Sequence, residues 1–208
     1  MDQHDAVALA AEFDTDLADR IRFVYELDKL KSELRQTLLA DGSRRENSGE
    51  HSWHLAMLAM VMAPHAKEPI DLDRAIRILL VHDIVEIDAG DVDIYDYEAR
   101  KAKEAEEVIA ADRIFGLLPE PEASELRALW DEYEARETPE ARFAYSCDRL
   151  QPFLLNLAIG GESWTRRGVS GSAVKAVNSK MVDGLDGVWE VVEKLIDRAV
   201  DEGTILDP

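Results

Sequence analysis

Apolar residues that recur every three or four positions dominate this chain, and runs of strict alternation are nearly absent. That pattern restricts the fold to amphipathic helices packed on one another. Leu17, Ile21, Val24, Leu27, Leu30, Leu34 and Leu38 form one stripe, predicting a helix over 16–39 that stops before Asp41-Gly42-Ser43. Trp53, Ala56, Leu58, Ala59, Val61 and Met62 predict a second helix over 50–64. Asp71 reads as the N-cap of a third, with Ile76, Leu79 and Leu80 inside. Charged helices over 98–115 and 122–136 follow, then one opened by Pro139 and running through Leu157. Gly160-Gly161 ends it, and a last amphipathic helix is predicted over 172–202. With no repeat or long linker, the expectation is a single all-α domain over 1–208. It has a compact bundle core over about 23–157 and extra C-terminal helices over about 160–208.

Charge narrows the function. The 208 residues carry 44 acids against 24 bases, a net charge of -20, which disfavours nucleic acid and anionic membranes as partners. A small anionic ligand stays compatible where local arginines or a metal offset that field. No stretch reaches the ~18 apolar residues of a membrane span. The acidic start Met1-Asp2-Gln3-His4-Asp5 lacks the basic and apolar parts of a secretory signal, so a cytoplasmic location is expected. The single cysteine, Cys147, excludes an intramolecular disulfide framework and a cysteine-rich zinc site, and reads as core.

Within the apolar run from Ile76 to Ile84 an imidazole and a carboxylate stand side by side, His82 and Asp83. A buried charge is costly unless it is paired or bound to a metal. Divalent metals accept mixed imidazole and carboxylate ligands. His51 opens the second helix and can face the His82-Asp83 pair if the second and third helices pack side by side. Asp148, an acid in an otherwise apolar stretch, is the fourth candidate; a salt bridge to Arg149 or Arg142 is its alternative. Two histidines and two aspartates would leave positions open for water and substrate, as catalytic metal sites do.

The order His51, His82-Asp83, Asp148 resembles the metal signature of the HD superfamily of helical metal-dependent phosphohydrolases. The likeness is wider than four residues. It includes Glu50-His51-Ser52-Trp53, Leu80-Val81-His82-Asp83-Ile84-Val85-Glu86, Gly90-Asp91, Leu129 to Glu134, and Phe143 to Leu150. Together these resemble the 5′-deoxynucleotidase branch, from about Phe23 to Leu157.

The resemblance implies an HD-domain bundle acting as a phosphomonoesterase on (deoxy)nucleoside 5′-monophosphates. Its divalent ion would be manganese or cobalt, with zinc, iron, nickel or magnesium as alternatives, held by His51, His82, Asp83 and Asp148. It makes Glu86 the group that orients or deprotonates the attacking water, and Asp91 a contact to the deoxyribose hydroxyl or the water network. Arg35 and Arg45 fit the family's basic phosphate-binding positions, with Arg44 a close competitor. The family usually has a large apolar or aromatic residue beside the first of these, which crowds a ribose 2′-hydroxyl. Here Gln36 and Thr37 follow Arg35, which leaves selectivity for deoxyribose open. His54 is a further candidate for phosphate or a second metal, or else an ordinary surface or core histidine. The long C-terminal helix suits a homodimer.

Overall fold

The computed structural model describes residues 2–206. Helices α1 (Gln3–Ala11) and α2 (Thr15–Asp28) form a hairpin on the outside. The predicted helix over 16–39 does not run its full length. After α2 the chain tightens into a 3₁₀ turn, Lys29–Ser32, and then extends as β1 (Leu34–Leu38), antiparallel to β2 (Arg45–Asn47). The reason lies in burial. Arg35 and Thr37, two apart, are buried along with Leu30 and Leu38, whereas Leu17, Val24 and Leu34 of the supposed stripe are exposed. Extended backbone turns alternate side chains to one face, which here serves polar groups that a helix would have scattered.

Three helices make the centre: α3 (Ser48–Met62), α4 (Leu72–Val81) and α8 (Pro139–Ala158), each packed on the other two. Helix α3 begins where Asn47 accepts from Glu50 N at 2.9 Å and Glu50 reaches back to Asn47 N, a reciprocal cap. Its inward face reads Ser48, His51, Ser52, Leu55 and Ala59, polar at the start and apolar further on. Trp53 and Val61, apolar in that helix, are exposed, and so is Leu80 of α4, expected inside. Asp71 caps α4 through Arg74 N at 3.2 Å, as predicted. Leu55, Ile78, Leu79, Phe143 and Cys147 are fully buried between these helices. Each large apolar side chain there stabilises the fold by about 1.5–3 kcal/mol relative to exposure.

Tight turns follow α4, with Ile84 N on Val81 O and Glu86 N on Asp83 O, and lead into the short α5 (Glu86–Ala89). The long α6 (Tyr97–Phe115) and α7 (Glu122–Ala135) then pack against each other, and α7 against α4. In α8, Pro152 cannot donate to the carbonyl of Asp148 four residues earlier, which frees that carbonyl beside the site.

The C-terminal part departs from the predicted single helix over 172–202. It consists of α9 (Glu162–Arg167), α10 (Gly171–Asn178), a 3₁₀ turn at Ser179–Asp183, and α11 (Trp189–Asp201). The break is needed because the chain at Gly184 runs against α8: a Cβ there would lie 2.2 Å from Arg142 O and 2.6 Å from Phe143 Cα. Among the described residues no helix is long and apolar enough to cross a membrane. Gly184→Ala should lower the unfolding free energy by about 1–3 kcal/mol through this overpacking, read from urea midpoints.

Candidate metal centre

His82 sits immediately after α4, where its ring is fixed from behind: Nδ1 lies 2.8 Å from Leu79 O. A carbonyl only accepts, so Nδ1 carries a proton and Nε2 is the nitrogen that presents a lone pair when the ring is neutral. His51, from the first turns of α3, repeats the arrangement. Its Nδ1 lies 3.1 Å from Gln151 Oε1 and its Nε2 points to Asp148 Oδ1 at 2.9 Å. The two rings stand 5.7 Å apart, tilted by 49°.

Both lone pairs therefore face carboxylates. Asp83 Oδ1 is 3.1 Å from His82 Nε2, Asp83 Oδ2 is 3.7 Å from His51 Nε2, and Asp148 Oδ1 is 3.8 Å from His82 Nε2. His82 Nε2 is buried without a hydrogen-bond partner. Lone pairs and carboxylate oxygens crowded in this way repel unless a cation lies among them. Donor atoms of His51, His82 and Asp83 all fall within 4.8 Å of one another, and Asp148 closes the group. This mixed nitrogen and oxygen set fits a divalent transition metal.

The electrostatics agree. Burial works against a charged His82, but Asp83 and Asp148 outweigh it and carry the imidazole up to about 9 without a metal. Burial also disfavours the Asp148 carboxylate, yet Arg149 beside it outweighs that and holds it well below the usual range. Glu86 is pushed up to about 8, chiefly by burial and then by Asp83. A bound divalent cation would pull it back.

Several groups that sequence reading did not assign support the cluster. Gln151 Nε2 donates to Glu46 Oε1 at 2.8 Å while its carbonyl serves His51. Glu46 Oε2 lies 3.4 Å from His51 Nδ1 and 3.8 Å from Arg35 Nε, so one buried acid stands behind both. Tyr133 donates to Asp148 Oδ2 at 2.7 Å and meets the His82 ring edge-on. Gln151 stands three residues after Asp148, but an isolated glutamine carries no sequence signal.

The cluster opens into a cavity of about 710 Å³, whose lining includes Arg35, Asp83, Glu86, Asp91 and Asp148. Glu86 accepts from Ser48 Oγ at 2.6 Å. Asp91 follows Gly90, whose φ of 73° suits glycine and whose carbonyl is held by Lys103. The other candidates lie elsewhere. Arg44 is exposed in a two-pronged pair with Glu50 at 2.6 and 2.9 Å. Arg45 donates to Leu34 O and Arg35 O, clamping β2 to β1 behind Arg35. His54 accepts from Gln151 Nε2 at 3.0 Å, behind His51 and away from the cavity lining. Cys147 is fully buried, and its thiol is pushed up by burial and then by Asp148.

The HD domain family model matches residues 27–189, a stretch holding all four candidate ligands. The chain belongs to the HD domain family. This HD-domain chain is 48% identical to a predicted metal-dependent phosphohydrolase from Magnetospirillum magnetotacticum MS-1, known from its crystal structure. That likeness covers 94% of this chain and 100% of the other, with a TM-score of 0.87. It is also 34% identical over 111 residues to the 5′-deoxynucleotidase HDDC2 of Homo sapiens, 53% of each chain. To the 5′-deoxynucleotidase hdd1 of Schizosaccharomyces pombe it is 27% identical over 137 residues, 63% of this chain and 67% of that one. The chain thus spans about half the length of the first of these curated relatives.

His51→Ala should leave the purified protein without stoichiometric metal by elemental analysis. Gln151→Leu, which removes only the support behind His51, should weaken metal affinity by about 10–100-fold in a chelator competition.

Proposed function

We propose that this HD-domain protein is a metal-dependent phosphomonoesterase that hydrolyses deoxynucleoside 5′-monophosphates to nucleoside and phosphate. The observation that carries the reading is the pair of Nε2 lone pairs converging with two aspartate carboxylates at the floor of a cavity that also holds Arg35 and Glu86. The named activities of the human and fission-yeast relatives support the substrate class.

His51, His82, Asp83 and Asp148 would hold the ion. Bound there, a divalent cation supplies Lewis acidity to a phosphoryl oxygen and acidity to a neighbouring water; manganese or cobalt suits these donors. Arg35 is kept in place by Asp83 on Nη1 at 2.8 Å and offers its remaining edge to the phosphate. Glu86 has one carboxylate oxygen fixed by Ser48 Oγ and the other free. It takes the proton of the attacking water as the new P–O bond forms. The bond from phosphorus to the sugar 5′-oxygen breaks, and the nucleoside leaves as its alcohol after protonation from solvent. Asp91, on the turn pinned by Lys103, lies where it can accept from a sugar hydroxyl. Gln36 and Thr37 line the cavity beside Arg35 and are the residues that would meet the 2′ position.

The test is phosphate release with manganese, cobalt, zinc or magnesium from a panel of 5′-, 3′-, deoxy- and ribonucleoside monophosphates plus a generic diester. Metal-dependent release confined to 5′-monophosphates, faster for deoxyribose, is expected; no release from any monoester would end this reading. Glu86→Gln should keep its metal and lose about 10²–10⁴-fold in kcat.

A further inference from the structure

Each of the two metal-site aspartates turns one oxygen inward and the other toward an arginine. Asp83 sets Oδ1 3.1 Å from His82 Nε2 and takes Arg35 Nη1 on Oδ2. Asp148 sets Oδ1 2.9 Å from His51 Nε2 and takes Arg149 Nη2 on Oδ2. Arg35 comes from β1 and Arg149 from α8, and both line the cavity. The sequence offered Arg149 only as a salt-bridge partner for Asp148.

Three observations go beyond a salt bridge. Tyr133 already donates to Asp148 Oδ2 at 2.7 Å, so that oxygen is satisfied without an arginine. Arg149 commits a single nitrogen, Nη2, to Asp148, and its Nε is buried with no hydrogen-bond partner. Its position is also supported: the guanidinium carbon lies 5.2 Å from the Tyr145 ring centroid, and that of Arg136 lies over the same ring at 4.5 Å. Arg136 reaches that ring from a left-handed backbone, φ 53°, at the end of α7, a conformation side chains other than glycine rarely adopt. Charge points the same way: Arg35 and Arg149 bring positive charge to a wall that also carries Asp83, Glu86, Asp91 and Asp148, where a phosphate dianion needs it.

We propose that Arg149 is a second phosphate-binding arm, reaching the centre from α8 as Arg35 does from β1, with Tyr145 beside its guanidinium. The inference rests on the phosphomonoesterase reading for its substrate, but its central measurement does not require turnover. Manganese-loaded wild type, Arg149→Gln and Arg149→Lys would be titrated calorimetrically with inorganic phosphate, with bound manganese and melting temperature measured on each.

Arg149→Gln should keep its manganese and bind inorganic phosphate at least about tenfold more weakly, since it loses a charge-assisted fork. The KM for a mononucleotide should rise by a similar factor. Arg149→Lys should recover part of the phosphate affinity, because it restores the charge without the fork. Unchanged phosphate affinity in Arg149→Gln would overturn the proposal. So would loss of manganese together with phosphate, which would reduce Arg149 to a support for Asp148. If Arg149→Gln melts early, Arg149→Lys decides alone: weaker phosphate at full manganese supports the arm, and unaltered phosphate affinity refutes it. A wild type that binds inorganic phosphate through Arg149 yet cleaves no mononucleotide would refute the nucleotidase and leave the arm standing.

Discussion

Two imidazoles and two carboxylates meet within a few ångströms in the interior of this protein, an arrangement that a metal ion, or a proton on an imidazole, makes favourable. The rest of the structure is arranged to keep it so. Neither ring is free to turn its Nδ1 inward, because Leu79 O and Gln151 Oε1 hold those protons. The three helices that supply the groups pack on one another through fully buried Leu55, Ile78, Leu79 and Phe143. Apolar packing therefore holds the cluster in place.

The same division of labour shapes the electrostatics. A chain of net charge -20 is repulsive to a phosphate at a distance. Several of its arginines are spent on exposed pairs such as Arg20–Glu122 and Arg77–Glu125, which contribute little to stability. Arg35 and Arg149 differ in being nearly buried at the cavity wall, where water screens them less. Attraction for an anion is thus local, confined to a polar floor that a small ligand can reach.

The C-terminal helices belong to this design. Trp164 donates to Tyr95 Oη at 3.1 Å, and Arg167 pairs with Asp93 while lying over the Tyr95 ring. These contacts fasten the turn that carries Asp91, together with Lys103 on the opposite side. The family match running to residue 189 agrees with helices that wall the cavity.

Much of this was legible in the chain alone. Helical periodicity, the cap at Asp71, Pro139 as a first helical residue and the glycines after α8 mark most of the helices because such signals act within a turn or two of chain. The paired His82 and Asp83 in an apolar run, with His51 and Asp148 at helix positions able to face them, mark the centre, since charge among apolar residues demands a partner. Tertiary structure alone decided the rest. Leu34 and Leu38 continue a helical stripe, yet pairing with β2 and the need to bury Arg35 and Thr37 on one face drew them into a strand. Contact with α8 split the last helix at Gly184. Gln151 and Glu46 came to the centre because their partners, His51 and each other, lie on elements distant in sequence, which the local pattern does not encode.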